Sequence, residues 1–158
     1  MFNFLKKIFK KNNKLTLKFL RLSENCILPT KAHESDACYD IYSPVDIDLK
    51  SNDITKFNLD FSVSCPKGYK LCIYSRSGLA SKGILLSNSV GIVDPDYRGC
   101  VGVALVNNNN SIYHISKGDR ILQMALEKIY SFDIDEVTNK SMLGETERGA
   151  GGFGSSGK

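Results

Sequence analysis

Apolar and polar side chains alternate one by one over short stretches of this chain, and this period of two limits the possible folds more than any other feature. The stretch from Phe57 to Ser64 alternates throughout, and the stretch from Tyr69 to Tyr74 follows the same pattern. Successive side chains of a β-strand point to opposite faces of a sheet, so both stretches predict strands with one buried and one exposed face.

Clusters of Gly, Pro, Asn, Ser and Asp separate these stretches from further short apolar segments, as is typical of all-β proteins. The further strand candidates are Leu15–Arg21, Asp40–Tyr42, Val101–Val106, Ile112–Ile115 and Ile121–Tyr130, and a brief helix is predicted only around Ser77–Lys82. The sequence therefore predicts an all-β sandwich or jelly roll. Its 158 residues suffice for one such domain but not comfortably for two.

The net charge of +4 belongs to one end of the chain. Residues 1–21 hold seven Lys and Arg and no acid, whereas the remaining residues hold fourteen basic against seventeen acidic side chains. The body is therefore mildly acidic, which argues against a nucleic-acid partner. Five scattered cysteines without a CxxC pair argue against a zinc site and for reduced thiols in the cytoplasm.

The sequence divides into three segments. Residues 1–14 form a basic leader that we expect to be disordered, because isolated helices this short are marginal in water. The Phe and Leu residues of the leader lie near one helical face, so contact with a membrane surface is an alternative that we do not favour. Residues 15–144 form the β domain, and residues 145–158 form a flexible, Gly-rich tail.

The segment Gly91–Gly99, GIVDPDYRG, combines a strand end, a turn and an aromatic residue. We predict a hairpin whose turn is Asp94-Pro95-Asp96-Tyr97, because proline presets φ and aspartate side chains bond the local backbone. The strand edge beside such a turn offers N–H and C=O groups at a fixed spacing, which can contact the rim of a planar base. Taken alone, the segment is better explained by an ordinary Asp/Pro turn, and the other motifs reverse that preference.

Four further motifs surround this segment: Ser35–Pro44 (SDACYDIYSP), Ser75–Ile84 (SRSGLASKGI), Lys117–Met124 (KGDRILQM) and Arg148–Gly157 (RGAGGFGSSG). In order and spacing the five segments resemble the five motifs of the trimeric deoxyuridine triphosphatase (dUTPase) family, over roughly residues 15 to 158. The resemblance implies a jelly-roll subunit, a homotrimer, and Mg²⁺-assisted attack of water on the α-phosphate of dUTP, which yields dUMP and pyrophosphate.

Asp94 is the expected general base, because a carboxylate on a rigid turn is well placed to take a proton from water. Tyr97 would lie beneath the sugar and leave no space for a 2′-hydroxyl, so ribonucleotides would be rejected. Contacts to the uracil and its surroundings are expected from Asn88, Gly91, Ile92, Val93 and Gly102.

Phosphate binding is expected from Arg76, Ser77 and Gly78, which supply a guanidinium, a hydroxyl and exposed N–H groups. Asp40 is expected to hold Mg²⁺ through a water, since Mg²⁺ keeps several waters and shares substrate phosphates. Gln123 is a candidate to contact the phosphate chain or the attacking water. Asp119 and Arg120 fit a structural ion pair as well as a ligand role.

The resemblance makes the tail a lid over the substrate. Arg148 would meet the γ-phosphate, Phe153 would stack over the uracil, and Gly154, Ser155 and Ser156 would join the phosphate contacts. Glycines let such a tail close tightly, and their entropy keeps it open without ligand.

The chain departs from the family pattern at three positions. Cys38 replaces the usual glycine before Asp40, Ser75 replaces the proline that commonly precedes the arginine, and Ser156 replaces threonine. None of these changes removes a catalytic group, although Cys38 could perturb the chain path near Asp40.

Two other functions are compatible with the same scaffold. A dCTP deaminase shares the fold but needs a glutamate general base on the strand after the turn, where this chain has Val103-Ala104-Leu105. A regulatory or partner-binding protein would not need the general base, the sugar-facing tyrosine and the lid residues together.

Overall fold

The computed structural model describes residues 15–152, which form antiparallel strands joined by turns. The strands in this range are β1 (Lys18–Arg21), β2 (Tyr39–Tyr42), β3 (Ile47–Leu49), β4 (Ile54–Asn58), β5 (Phe61–Ser64), β6 (Tyr69–Ser75), β7 (Ile84–Leu86), β8 (Val90–Val93), β9 (Gly102–Asn107), β10 (Tyr113–Ile115) and β11 (Arg120–Lys128). A four-residue helix, α1 (Ser77–Ala80), follows β6, and a 3-10 helix spans Lys140–Leu143.

The strands form a four-stranded sheet in the order β2-β11-β6-β8, a three-stranded sheet in the order β4-β9-β7, and the pairs β1-β5 and β10-β3. Inward-facing side chains from all of these sheets share one core, in which Phe61, Leu71, Leu105 and Leu122 are almost fully buried. This architecture confirms the predicted all-β jelly-roll sandwich.

The stretch Phe57–Ser64 forms two strands rather than the single strand that its alternation predicts. The chain turns at Asp60, whose φ of 57° lies in the left-handed region. Before this residue β4 pairs with β9, and after it β5 pairs with β1. Leu59 is nevertheless buried as predicted, because a chain crossing between the sheets of a sandwich keeps one side toward the core.

The segment Gly91–Gly99 is not a hairpin, which corrects the prediction from its sequence. Strand β8 pairs with β6, whereas β9 pairs with β4 and β7, so the segment crosses from one sheet to the other. The predicted turn does form, with the Tyr97 N–H donating to the Asp94 carbonyl at 3.1 Å. As a result β8 is the edge strand of its sheet.

The remaining sequence predictions meet the structure in part. The helix predicted around Ser77–Lys82 forms as the shorter α1. The strands β3 and β7 were not predicted, because three residues are too few to show alternation. No helix among residues 15–152 has the length and apolar character needed to cross a membrane. The leader, residues 1–14, lies outside the described residues.

Candidate active site

A cavity of about 510 Å³ opens between β4, β9 and the turn that connects β7 to β8. Three of the residues predicted to contact a base line it, namely Asn88, Gly91 and Gly102. Asn58 and Lys56 on β4 line the same cavity and were not predicted, since nothing in a single sequence shows which strand lies opposite Gly102. Ile92 and Val93, also predicted, are not part of its wall.

The two glycines leave the backbone of the cavity accessible. A Cβ on Gly91 would come within 3.3 Å of the Ile73 Cβ, and a Cβ on Gly102 within 3.3 Å of the Asn58 Oδ1. Gly91 pairs with Ile73 on one side only, because β8 is an edge strand. The cavity is therefore a slot beside a strand edge whose N–H and C=O groups can bond the rim of a planar base.

Four charged or polar side chains lie near the end of β6, on the side of the four-stranded sheet that carries β11 and β2. Arg76 Nε donates to Asp40 Oδ1 at 2.7 Å, and Arg120 Nη1 donates to Asp40 Oδ2 at 3.1 Å. Arg76 Nη1 also donates to the Arg120 carbonyl at 3.0 Å, and Gln123 lies directly opposite Asp40 on the neighbouring strand. We refer to Asp40, Arg76, Arg120 and Gln123 as the arginine cluster.

The arginine cluster is suited to a polyanion. A guanidinium has five N–H donors, so Arg76 keeps several after its bonds to Asp40 and the Arg120 carbonyl. Ser77 and Gly78 begin α1 directly beside it, and N–H groups in the first turn of a helix have no partner within the helix. The predicted phosphate-binding residues are thus brought together.

Asp40 fits a role toward Mg²⁺ only through water. Each of its oxygens accepts from an arginine, which leaves about one further lone-pair position on each. Two adjacent guanidinium groups oppose direct contact with a cation, but a carboxylate oxygen can still accept from a metal-bound water. Residues 15–152 contain no group of three or more His, Cys, Asp or Glu side chains that could hold a metal ion, so substrate phosphates would have to complete the coordination.

Asp119 and Arg120 do not pair with each other. Arg120 bonds Asp40, while Asp119 Oδ2 accepts from the Ser116 N–H at 2.8 Å and closes the turn before β11. Gln123 Nε2 donates to the Ser75 carbonyl at 2.9 Å, which leaves the Gln123 Oε1 as an acceptor. The second N–H of Nε2 can donate to a phosphate oxygen, and Oε1 can accept from a water, so both predicted roles stay open.

Asp94 and Tyr97 project from the turn that follows β8. The Tyr97 hydroxyl donates to the Cys100 carbonyl at 2.9 Å, and its ring folds over Gly99 so closely that a Cβ there would lie 2.7 Å from the tyrosine Cζ. Gly99 is therefore required for the placement of the ring. Asp94 is exposed, as a base that must meet a substrate has to be.

Asp94 and the arginine cluster lie at opposite ends of the β6–β8 pair. Val93 pairs with Leu71, so Asp94 lies level with residue 70, whereas Arg76 follows the other end of β6. Six residues of extended strand separate these levels, which corresponds to about 20 Å. One chain thus keeps Asp94 apart from the arginine cluster, and Gly91 of the base cavity lies at a level between them, opposite Ile73.

The tail residue Arg148 is exposed, and its Nε donates to the Gly151 carbonyl at 2.9 Å, a bond local to the tail. Phe153, Gly154, Ser155 and Ser156 lie outside the described residues. The predicted lid contacts of all five residues therefore stay predictions.

A further network joins β6 and β11 on the outer face of the sheet. The Tyr74 hydroxyl donates to Glu127 Oε1, and Lys70 Nζ lies 3.5 Å from Glu127 Oε2. This hydrogen bond raises the pKa of Tyr74 above its ordinary value, and it lowers the pKa of Glu127. The residues are far apart in sequence, so only the strand register could have revealed the network.

Comparison with known proteins places this geometry in a family. The chain is 41% identical over 143 residues to the deoxyuridine 5'-triphosphate nucleotidohydrolase of Rattus norvegicus, which covers 90% of this chain and 68% of that protein. It is 40% identical to the mitochondrial deoxyuridine 5'-triphosphate nucleotidohydrolase of Homo sapiens, of which it spans 56%.

Solved structures agree with the sequence relatives. The dUTPase of Staphylococcus bacteriophage 80alpha with dUPNHPP superimposes with a TM-score of 0.81 at 29% identity, over 90% of this chain and 99% of that one. A mutant dUTPase from phage phi11 of S. aureus, described with a structural Mg(II) ion, superimposes with a TM-score of 0.70 at 27% identity, over 80% and 99%. The dUTPase family model matches residues 24–157, and the chain belongs to the dUTPase family.

Proposed function

We propose that this chain hydrolyses dUTP to dUMP and pyrophosphate, as a dUTP diphosphatase. The observation that carries the proposal is the position of Asp94, a candidate general base, directly after the strand whose Gly91 lines the base cavity. The relatives are named for this reaction, and the bacteriophage 80alpha dUTPase was solved with dUPNHPP.

The base would enter the slot beside β8. Backbone N–H and C=O groups at Gly91 and Gly102 would bond its rim, and Asn88 would contact its edge. Backbone groups cannot rotate as side-chain amides do, so their pattern of donors and acceptors selects uracil over cytosine.

Asp94 would act as the general base in the chemical step. Gly91 precedes Asp94 by three residues, or about 10 Å of strand, so a base in the slot would direct the phosphates toward the turn. The carboxylate would take a proton from a water as the water attacks the α-phosphate. Pyrophosphate then leaves with the electron pair of the broken P–O bond.

The leaving phosphates would accept hydrogen bonds from the arginine cluster and from N–H groups in the first turn of α1. Mg²⁺, when bound with the substrate, neutralises charge on the phosphates. Asp40 would accept from a water of this ion while it holds Arg76 and Arg120 in place. The tail would close over the assembled site with Arg148 at the γ-phosphate and Phe153 over the base.

Tyr97 is proposed to exclude ribonucleotides. Replacing Tyr97 by alanine is expected to narrow the kcat/KM ratio of dUTP to UTP by about 10–200-fold, since the space for a 2′-hydroxyl would open. Gly99→Ala should narrow the ratio too, because a methyl group there displaces the ring. Tyr97→Phe keeps the ring and should preserve the ratio. A ratio unchanged in Tyr97→Ala would place sugar selection elsewhere.

Two observations support self-association of this chain, and the family resemblance implies that the assembly is a homotrimer. Asp94 and the arginine cluster are about 20 Å apart within one chain, so a complete site needs a second copy. In addition, Tyr130, Phe132 and Ile134 alternate with polar residues after β11 and are 74%, 80% and 87% exposed. An apolar edge of this kind is expected to pack on a neighbouring subunit.

A nucleotide assay tests the proposed reaction. With Mg²⁺, dUTP should release pyrophosphate and dCTP should release no ammonia, because β9 (Gly102–Asn107) carries no acidic residue that could serve a deaminase. Removing Mg²⁺ with a chelator should lower the rate of pyrophosphate release. Binding of dUTP without turnover would instead identify a regulatory protein on this scaffold.

We also propose a reducing compartment, the cytoplasm. All five cysteines are free thiols. Burial raises the pKa of Cys26, Cys38, Cys65 and Cys72, which keeps these thiols protonated and unreactive near neutral pH.

A further inference from the structure

We propose that Ser75 is a positioning residue whose hydroxyl fixes both the phosphate-binding loop and the adjoining wall of the base cavity. The inference rests on the proposed function, because it concerns how this chain places the binding elements proposed there. Ser75 is the last residue of β6 and directly precedes Arg76.

Two hydrogen bonds converge on Ser75. Its Oγ accepts from the Leu86 N–H at 2.9 Å, and its carbonyl accepts from Gln123 Nε2 at 2.9 Å. The ten residues between Ser75 and Leu86 contain Arg76, Ser77, Gly78 and α1. The bond to Leu86 therefore holds the two ends of this loop together.

The N–H of Leu86 depends on this hydroxyl. The next residue, Ser87, donates its N–H to the Ala104 carbonyl of β9 at 2.8 Å, and neighbouring N–H groups of a strand point to opposite sides. The Leu86 N–H thus points away from β9, at the edge of the three-stranded sheet. Leu86 is only 4% exposed, so this donor would lack a partner without Ser75.

The hydroxyl links two binding elements of one chain, which serve neighbouring sites in the proposed trimer. Leu86 lines the base cavity and leads into Ser87 and Asn88, which line it as well. On the other side of the bond, Arg76 begins the phosphate loop. A proline, common at this position in the family that the sequence resembles, has no hydroxyl and could not make this bond.

Loss of the hydroxyl should weaken substrate binding more than the chemical step. Both ends of this loop carry binding groups, whereas the general base Asp94 is outside the loop and lies about 17 Å from Ser75 within one chain, five residues along β6. In Ser75→Ala we expect the KM for dUTP to rise about 2- to 12-fold, the range for one lost hydrogen bond, with kcat within about twofold of wild type.

Matched variants separate the hydroxyl from side-chain size. Ser75→Thr keeps the acceptor and should retain the wild-type KM, whereas Ser75→Val has the same shape as threonine without it and should behave as Ser75→Ala. Ser51→Ala removes a hydroxyl that donates to the Asn109 carbonyl at 2.8 Å, away from the site, and controls for lost stability. An equal rise in KM for the threonine variant or for Ser51→Ala would overturn the proposal.

Hydrogen–deuterium exchange gives a second measurement that needs no substrate. The Leu86 amide should exchange at least about tenfold faster in Ser75→Ala and Ser75→Val than in wild type or Ser75→Thr. Unchanged protection of Leu86 in Ser75→Ala would overturn the inference about Ser75. A wild-type chain that does not hydrolyse dUTP would instead overturn the proposed function, so the two failures are distinguishable.

Discussion

Asp94→Asn is expected to lower kcat for dUTP by about 10²–10⁴-fold, the usual contribution of a general base. The amide keeps the shape of the carboxylate but cannot take the proton of the attacking water. Binding should change little, because the base cavity and the arginine cluster are intact in the variant. Steady-state kinetics and calorimetric titration with a non-hydrolysable dUTP analogue would measure the two effects separately.

Asp96→Asn is the matched control for this experiment. Asp96 is exposed on the same turn, two residues after Asp94, so its replacement removes an equal charge from the same neighbourhood. If Asp96→Asn retains the wild-type rate while Asp94→Asn loses it, the effect is specific to the base. Near-wild-type turnover by Asp94→Asn would exclude the proposed mechanism.

The second large effect is expected when two inactive variants are mixed. Asp94→Asn and Arg76→Ala should each be nearly inactive alone, yet trimers refolded from an equal mixture should regain activity. In such trimers some sites receive Asp94 from one parent and Arg76 from the other. With random mixing, about one quarter of the sites would be complete.

A double variant makes this experiment quantitative. Wild type mixed equally with Asp94→Asn/Arg76→Ala should also show about one quarter of full activity if each site takes these residues from two chains. If one chain supplied both, this mixture would show about one half, and the mixture of single variants would show none. Mass spectrometry would confirm that mixed trimers form, and the second pattern of activities would falsify the shared site.

The sequence was sufficient to predict the class of fold and most of the chemistry. Alternation over Phe57–Ser64 predicted correctly that Leu59, Phe61 and Val63 are buried, because the period of two depends only on strand geometry. Ser62, which the pattern placed on the exposed face, is buried as well. The turn at Asp94–Tyr97 formed as predicted, because proline and aspartate act through their immediate neighbours. The motifs likewise identified Arg76 and Asp40 before any contact between them was known.

Pairing between distant strands could not be predicted in the same way. The predicted hairpin at Gly91–Gly99 was wrong because local turn chemistry does not decide whether the next strand stays in the same sheet. The bonds of Arg120 to Asp40 and of Ser75 to Leu86 also depend on which strands become neighbours. These features need the complete arrangement of the sheets.

The sequence by itself determined which residues face the core, which turn carries Asp94, and which side chains carry the charges of the site. These properties follow from covalent structure and from interactions over a few residues. Only the tertiary structure decided that Asp94 lies about 20 Å from Arg76, with Gly91 of the base cavity at a level between them. That separation arises from the register of β6 against β8, which is set by core packing across the whole domain.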